Sequence, residues 1–136
     1  MIALGAGDDG HAVGWDRDAA PHLLVTGPTG SGKTVAIRGV VVTWALAVGR
    51  VVLCDPKRVE YLAMRGRQSV EVVTDPDGIA AAVLAARDEM NARYAAVEAG
   101  GDAAAFTPLL LVVVDEAAAF IEDARQGHRG RRRQGA

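Results

Sequence analysis

The sequence predicts an α/β fold in which a mostly parallel sheet is covered by helices on both faces. Three observations predict it. Strand-length stretches that are apolar throughout, such as Leu109–Val114, alternate with stretches of helical length and periodicity. The chain has 136 residues, 50% hydrophobic and 24% charged, which suits one globular domain and is too short for two. Only 4% of the residues are aromatic, so the core must be aliphatic, built from Val, Leu, Ile and Ala.

Taken in order, Met1 to Trp15 reads as a small hairpin. Two short apolar stretches flank the loop Gly5-Ala6-Gly7-Asp8-Asp9-Gly10, rich in residues that tolerate positive φ. After the breaker Pro21, His22 to Thr26 reads as a buried strand running into glycines. Thr34 to Val48 follows as a helix, with Ile37, Val41, Trp44 and Val48 at helical spacing and Gly49 as its expected C-cap. Val51 to Cys54 is a second buried strand and Glu71 to Val73 a short third one. Asp75 is expected to cap a helix with Pro76 at its first position. Its predicted buried face is Ile79, Val83, Ala86, Met90, Tyr94 and Val97, and Gly100-Gly101 ends it. Leu109 to Val114 is the last strand. From Gln126 the chain is mostly Gly, Arg and Gln and is expected to be disordered.

The net charge of −2 hides an asymmetry. Five of the 15 basic side chains lie after Ala124, where there are no acids, whereas all 17 acidic side chains precede it. A basic body wrapped on nucleic acid is therefore excluded, and only the tail has that composition. The single cysteine, Cys54, excludes an internal disulfide and is expected to be a packing residue in a reducing compartment. The three histidines, His11, His22 and His128, are too scattered to suggest a metal site. No run approaches the ~18 apolar residues of a membrane span, so a cytoplasmic location is expected.

Gly27-Pro28-Thr29-Gly30-Ser31-Gly32-Lys33-Thr34 fits G-x-x-x-x-G-K-[ST] at every fixed position, between an apolar strand and an amphipathic helix. A triphosphate needs many donors without bulk. The glycines let the backbone curl so that its N–H groups point inward, and the helix adds its unpaired amides. Lys33 would reach the β- and γ-phosphates, and the Thr34 hydroxyl would ligate Mg²⁺. Downstream, the apolar strand Leu109–Val114 ends in Asp115-Glu116, at the sheet edge where ligands of open α/β sheets bind. Asp115 is the second expected Mg²⁺ holder, and Glu116 the expected general base that polarises a water. Lys33 and Glu116 are thus the catalytic candidates, Gly27 to Thr34 the nucleotide-binding ones. The turn Asp55-Pro56-Lys57-Arg58-Val59-Glu60 reads only as a charged, solvated turn near the same edge.

Several separated stretches resemble one family. Pro21-His22-Leu23-Leu24-Val25 leading into Gly27–Lys33 is similar to the P-H-L-L-V-x-G-x-T-G-S-G-K block of FtsK/SpoIIIE-type DNA translocases. Asp55-Pro56-Lys57-Arg58-Val59-Glu60 resembles its D-P-K-x-x-E, and Glu71-Val72-Val73-Thr74-Asp75 its E-V-V-T-D. Glu89-Met90 with Arg93-Tyr94 is like its E-M-x-x-R-Y, and Val113-Val114-Asp115-Glu116 its Walker B end. The resemblance spans residues 1 to about 123. It implies a three-layer, RecA-like P-loop ATPase, a homo-oligomeric ring, typically hexameric, around double-stranded DNA, and translocation driven by ATP and Mg²⁺. On that reading residues 1–20 are a hairpin leading into the core, 21–123 a partial motor domain and 124–136 a basic tail.

The family's motor continues beyond Walker B with a sensor strand and an arginine finger, which nothing here matches. The sensor strand belongs between the Walker A and Walker B strands, so a gap is expected in the middle of the sheet. The fold is accordingly expected to be incomplete at its C-terminus, and the chain a poor ATPase alone. Two rivals remain: an FtsK-like ATPase of type VII protein secretion, acting on polypeptide, and a non-catalytic truncated module.

Overall fold

The structure, a computed structural model, describes residues 1–102 and 106–117. The expected disorder of 124–136 lies outside them. Strands β1 (Ile2–Ala6) and β2 (Ala12–Trp15) form the predicted antiparallel hairpin, with Ile2 opposite Trp15 and an irregularity between Ala3 and Gly5. Helix α1 spans Lys33–Ala47 and runs almost directly into strand β3 (Gly49–Cys54). A short 3₁₀ turn at Leu62–Met64 precedes strand β4 (Val70–Val73). Helix α2 (Pro76–Glu98) and strand β5 (Leu109–Val114) complete the described elements.

The second sheet is parallel throughout, in the order β4-β3-β5. Cys54 pairs with Val73 on one side and Val114 on the other, so the carboxyl ends of all three strands are level. Val51 and Leu53 pack against Val40, Val41 and Trp44 of α1, with Ile2 and Trp15 of the hairpin closing the cluster. Val52, Val73 and Leu110 face α2 on the opposite side. The layers are therefore hairpin and α1, sheet, and α2. Trp15 and Trp44 stack at 6.0 Å between ring centres, and with the fully buried Tyr61 they put three aromatic rings into a core expected to be aliphatic.

Three expectations are corrected. Gly49 does not cap α1; Val48 does, and Gly49 opens β3. A Cβ on Gly49 would overlap the Leu109 carbonyl oxygen, so close approach of β5, not helix termination, demands glycine there. His22 to Thr26 is not a strand: it makes no ladder, and its backbone has no hydrogen-bond partner among the described residues. A strand needs a neighbour, and between this segment and β5 lies a cavity of about 530 Å³, lined by Pro21–Gly27 and Leu111–Ala117 with Trp15, Ile37 and Val40. The sheet gap expected from the resemblance falls in that place.

The third correction is the face of α2. Asp75 caps it as expected, its carboxylate accepting from the Gly78 N–H at 2.7 Å, and Ile79 is buried. Beyond that turn the half-buried positions are Ala82, Ala86, Glu89, Arg93 and Ala96, while Val83, Met90, Tyr94 and Val97 are exposed. The helix is rotated by about one residue from the expected face. A polar contact accompanies that rotation: Arg50 of β3 donates to Glu89 at 2.8 Å, and Glu89 also receives Arg93.

Candidate functional site

The site is assembled where α1 begins and where β3 and β5 end. Gly30 and Gly32 have φ of 81° and 88°, which a side chain would disfavour, and Gly32 occupies the helix N-cap without offering a side chain. The first helical bond runs from the Ala36 N–H to the Gly32 carbonyl at 3.0 Å. The amides of Lys33, Thr34 and Val35 therefore point forward with no partner among the described residues, the arrangement that receives anions. Lys33 curls back over the loop, its Nζ donating to the Gly27 and Pro28 carbonyl oxygens at 2.8 Å each. Two of its three donors are thus fixed, and the ammonium is held over the cradle.

Across the cavity, β5 delivers Asp115 and Glu116. The Asp115 N–H donates to the Cys54 carbonyl at 3.0 Å, continuing the β3–β5 ladder one step past both strands. Glu116 then turns with φ of 53°, and its N–H donates to the Asp115 carboxylate at 3.0 Å. Glu116 accepts a bond from Lys57 Nζ at 2.8 Å. That bond, followed by the attraction of the same ammonium and then of Lys33, holds the Glu116 carboxyl below its ordinary range. Lys57 is raised in turn, first by the hydrogen bond to Glu116.

Lys57 is placed by a turn that is not simply solvated, contrary to the sequence reading. Asp55 is 1% exposed, and its carboxylate accepts from the Arg58 N–H at 3.0 Å and from the Tyr61 N–H at 3.4 Å. Arg58 takes the αL conformation at φ 68° to close the turn. Arg38 of α1 donates to the Glu60 carbonyl and lies over the Tyr61 ring at 5.8 Å. Tyr61 is fully buried, and its hydroxyl makes no hydrogen bond of normal geometry. Burial first, and the nearby Asp115 carboxylate second, push its phenol well above the usual value. Cys54, at the end of β3, is buried and its thiol is pushed up to about 11, by burial and then by Glu71.

Gly27, Lys33, Asp115 and Glu116 line one cavity, whereas Pro28 to Gly32 and Thr34 stand outside its lining. The sequence singled out all of these positions, but Asp55, Lys57 and Tyr61 acquire their contacts only in three dimensions. Asp55 and Lys57 are already marked by the D-P-K-x-x-E resemblance at this sheet edge, whereas Tyr61 has no signal of its own.

The sequence model of the FtsK/SpoIIIE family matches residues 1–105. DNA translocase FtsK of Listeria monocytogenes is 38% identical over 100 residues, 69% of this chain and 13% of the relative. DNA translocase SpoIIIE of Bacillus subtilis is 35% identical over 100 residues, with the same shares. DNA translocase FtsK of Leptospira interrogans is 35% identical over 102 residues, 71% of this chain and 11% of the relative. The chain thus spans a little over one-tenth of the length of the relatives it matches. No solved structure matches it. With its α/β architecture, its glycine cradle at the head of α1 and an acidic pair at the end of β5, the chain belongs to the FtsK/SpoIIIE family.

Proposed function

We propose that this chain is the ATP-binding part of a motor that couples ATP hydrolysis to movement along double-stranded DNA. The observation that carries the reading is the single cavity of about 530 Å³ that Gly27 and Lys33 share with Asp115 and Glu116. Donors for a polyphosphate and acids for its cation belong at one place, and a strand-to-helix turn that bound nothing would not require the acids. The donor set fits the group: three unpartnered helix amides and an ammonium for phosphate, a carboxylate and the Thr34 hydroxyl for Mg²⁺. Mg²⁺, when bound, would neutralise charge on the phosphate oxygens.

In this reading Gly27 to Thr34 hold the phosphates, Thr34 and Asp115 hold the metal, and Lys33 offers its charge to the terminal phosphates. Glu116 accepts a proton from water. Residues 1–20 lead into the core, 21–123 form part of the motor and 124–136 a basic tail. The named relatives are DNA translocases, which supports DNA as the track; that the DNA is double-stranded and that the intact assembly is a ring of identical subunits, a hexamer, is what the family resemblance implies. Among the described residues no helix is long and apolar enough to cross a membrane. Among the described residues β5 has a strand on one side only, which supports slow turnover by this chain alone, below the roughly 1 per second typical of working enzymes.

Calorimetry with ATP and Mg²⁺ tests the reading. Wild-type chain should bind, Lys33→Ala should lose affinity with an unchanged circular dichroism spectrum, and Glu116→Gln should keep it while losing any turnover. Unchanged binding by Lys33→Ala would refute the role given to the cradle.

A further inference from the structure

Resting on the nucleotide reading above, we propose that Lys57 is a positioning residue that holds and neutralises Glu116 beside the phosphate cradle, so that the acidic strand end does not repel a bound triphosphate. The ion pair joins two neighbouring strands: Lys57 lies three residues past β3 and Glu116 two residues past β5, whose ends are in register at Cys54 and Val114. Isolated surface pairs contribute little because two flexible side chains must be ordered together. Here both backbones are already fixed. The buried Asp55 carboxylate clamps the turn that carries Lys57, and Arg38 ties the same turn to α1. On the other side, the Asp115 N–H bonds the Cys54 carbonyl and Glu116 is locked at φ 53°.

Charge bookkeeping gives the pair its purpose. Asp115 and Glu116 place two carboxylates on the cavity that would receive a polyanion, and among the described residues Lys33 is the one Lys or Arg that lines it. Were Lys33 to engage phosphate with no Lys57 present, Glu116 would stand uncompensated within the field of the triphosphate. Lys57 supplies the missing charge without occupying the cavity, whose lining it does not join. It therefore acts through Glu116, not on the ligand.

A double-mutant cycle on the full chain tests this, read by calorimetry with Mg²⁺ and a non-hydrolysable ATP analogue bearing an imido β,γ bridge. Lys57→Met should weaken binding roughly tenfold in the Glu116 background, the scale expected for one uncancelled unit charge near a polyanion. Lys57→Arg should stay within about twofold of wild type. In the Glu116→Gln background, Lys57→Met should change affinity by less than about twofold. Equal losses in both backgrounds would overturn the proposal, because Lys57 would then be touching phosphate or serving only the fold. No loss in either would overturn it too, while leaving nucleotide binding intact. A wild-type chain that fails to bind removes the nucleotide reading and this inference together.

Discussion

Asp55 shows how one buried side chain can organise a site without entering it. Its carboxylate satisfies the Arg58 and Tyr61 amides inside a turn, so removing it strands two donors in a place where water is scarce. Asp55→Ala should cost about 1–3 kcal/mol, read as a lower denaturation midpoint at unchanged slope. Cys54, one residue earlier, gives a second prediction. A thiol raised to about 11 and fully buried is almost entirely protonated at neutral pH, and the thiolate is the reactive form. The native chain should react with an aromatic disulfide reagent many times more slowly than the unfolded chain, and equal rates would show that Cys54 is accessible. Of the candidate site, Gly27 to Thr34 and Asp115-Glu116 could be picked out in the sequence because each lies in a contiguous run with fixed spacing. The pairing of Lys57 could not. Its partner is 59 residues away, and nothing in a six-residue turn announces which strand will lie beside it.

Among the elements, β5 and the start of α2 were legible because their signals are local: a six-residue aliphatic run, and an Asp-Pro pair at a helix start. The rotation of α2 was not. A helix of 23 residues, about 35 Å long, lies on strands of four to six residues, no more than about 20 Å. So short a sheet cannot cover every apolar position, and the face it does cover is the one that brings Glu89 to Arg50. The large apolar residues Val83, Met90, Tyr94 and Val97 are left outside while alanines face the sheet. Two substitutions separate this arrangement from the face expected by periodicity. Ile79→Ala should cost roughly 2–5 kcal/mol, as a buried truncation does. Met90→Glu should change stability by less than about 0.5 kcal/mol, as exposed positions do. Were Met90→Glu to cost as much as Ile79→Ala, the expected face would be the true one.

For the molecule as a whole, the open side of β5 is the dominant feature. The strand Leu109–Val114 carries no charge, proline or bulge, the devices by which natural sheets blunt an edge, and it pairs only with β3 among the described residues. All six of its residues are half-buried, although an aliphatic run of this kind suits a strand covered on every side. Facing it across the cavity, His22 to Thr26 offers a second set of backbone groups unpaired among the described residues, with Leu24 at 86% exposure. Two edges with no partner among the described residues and an apolar floor favour pairing with any extended chain that arrives, including another copy. Static light scattering of the purified chain should therefore rise with protein concentration, accompanied by a gain in β signal in circular dichroism. A lysine on the exposed edge should suppress this. Val112→Lys is suitable because Val112 is a half-buried mid-strand residue that lines the cavity of about 530 Å³ beside β5, where the aliphatic stem has room and the ammonium can reach water. If Val112→Lys stays folded yet associates as strongly as wild type, the association does not run through β5.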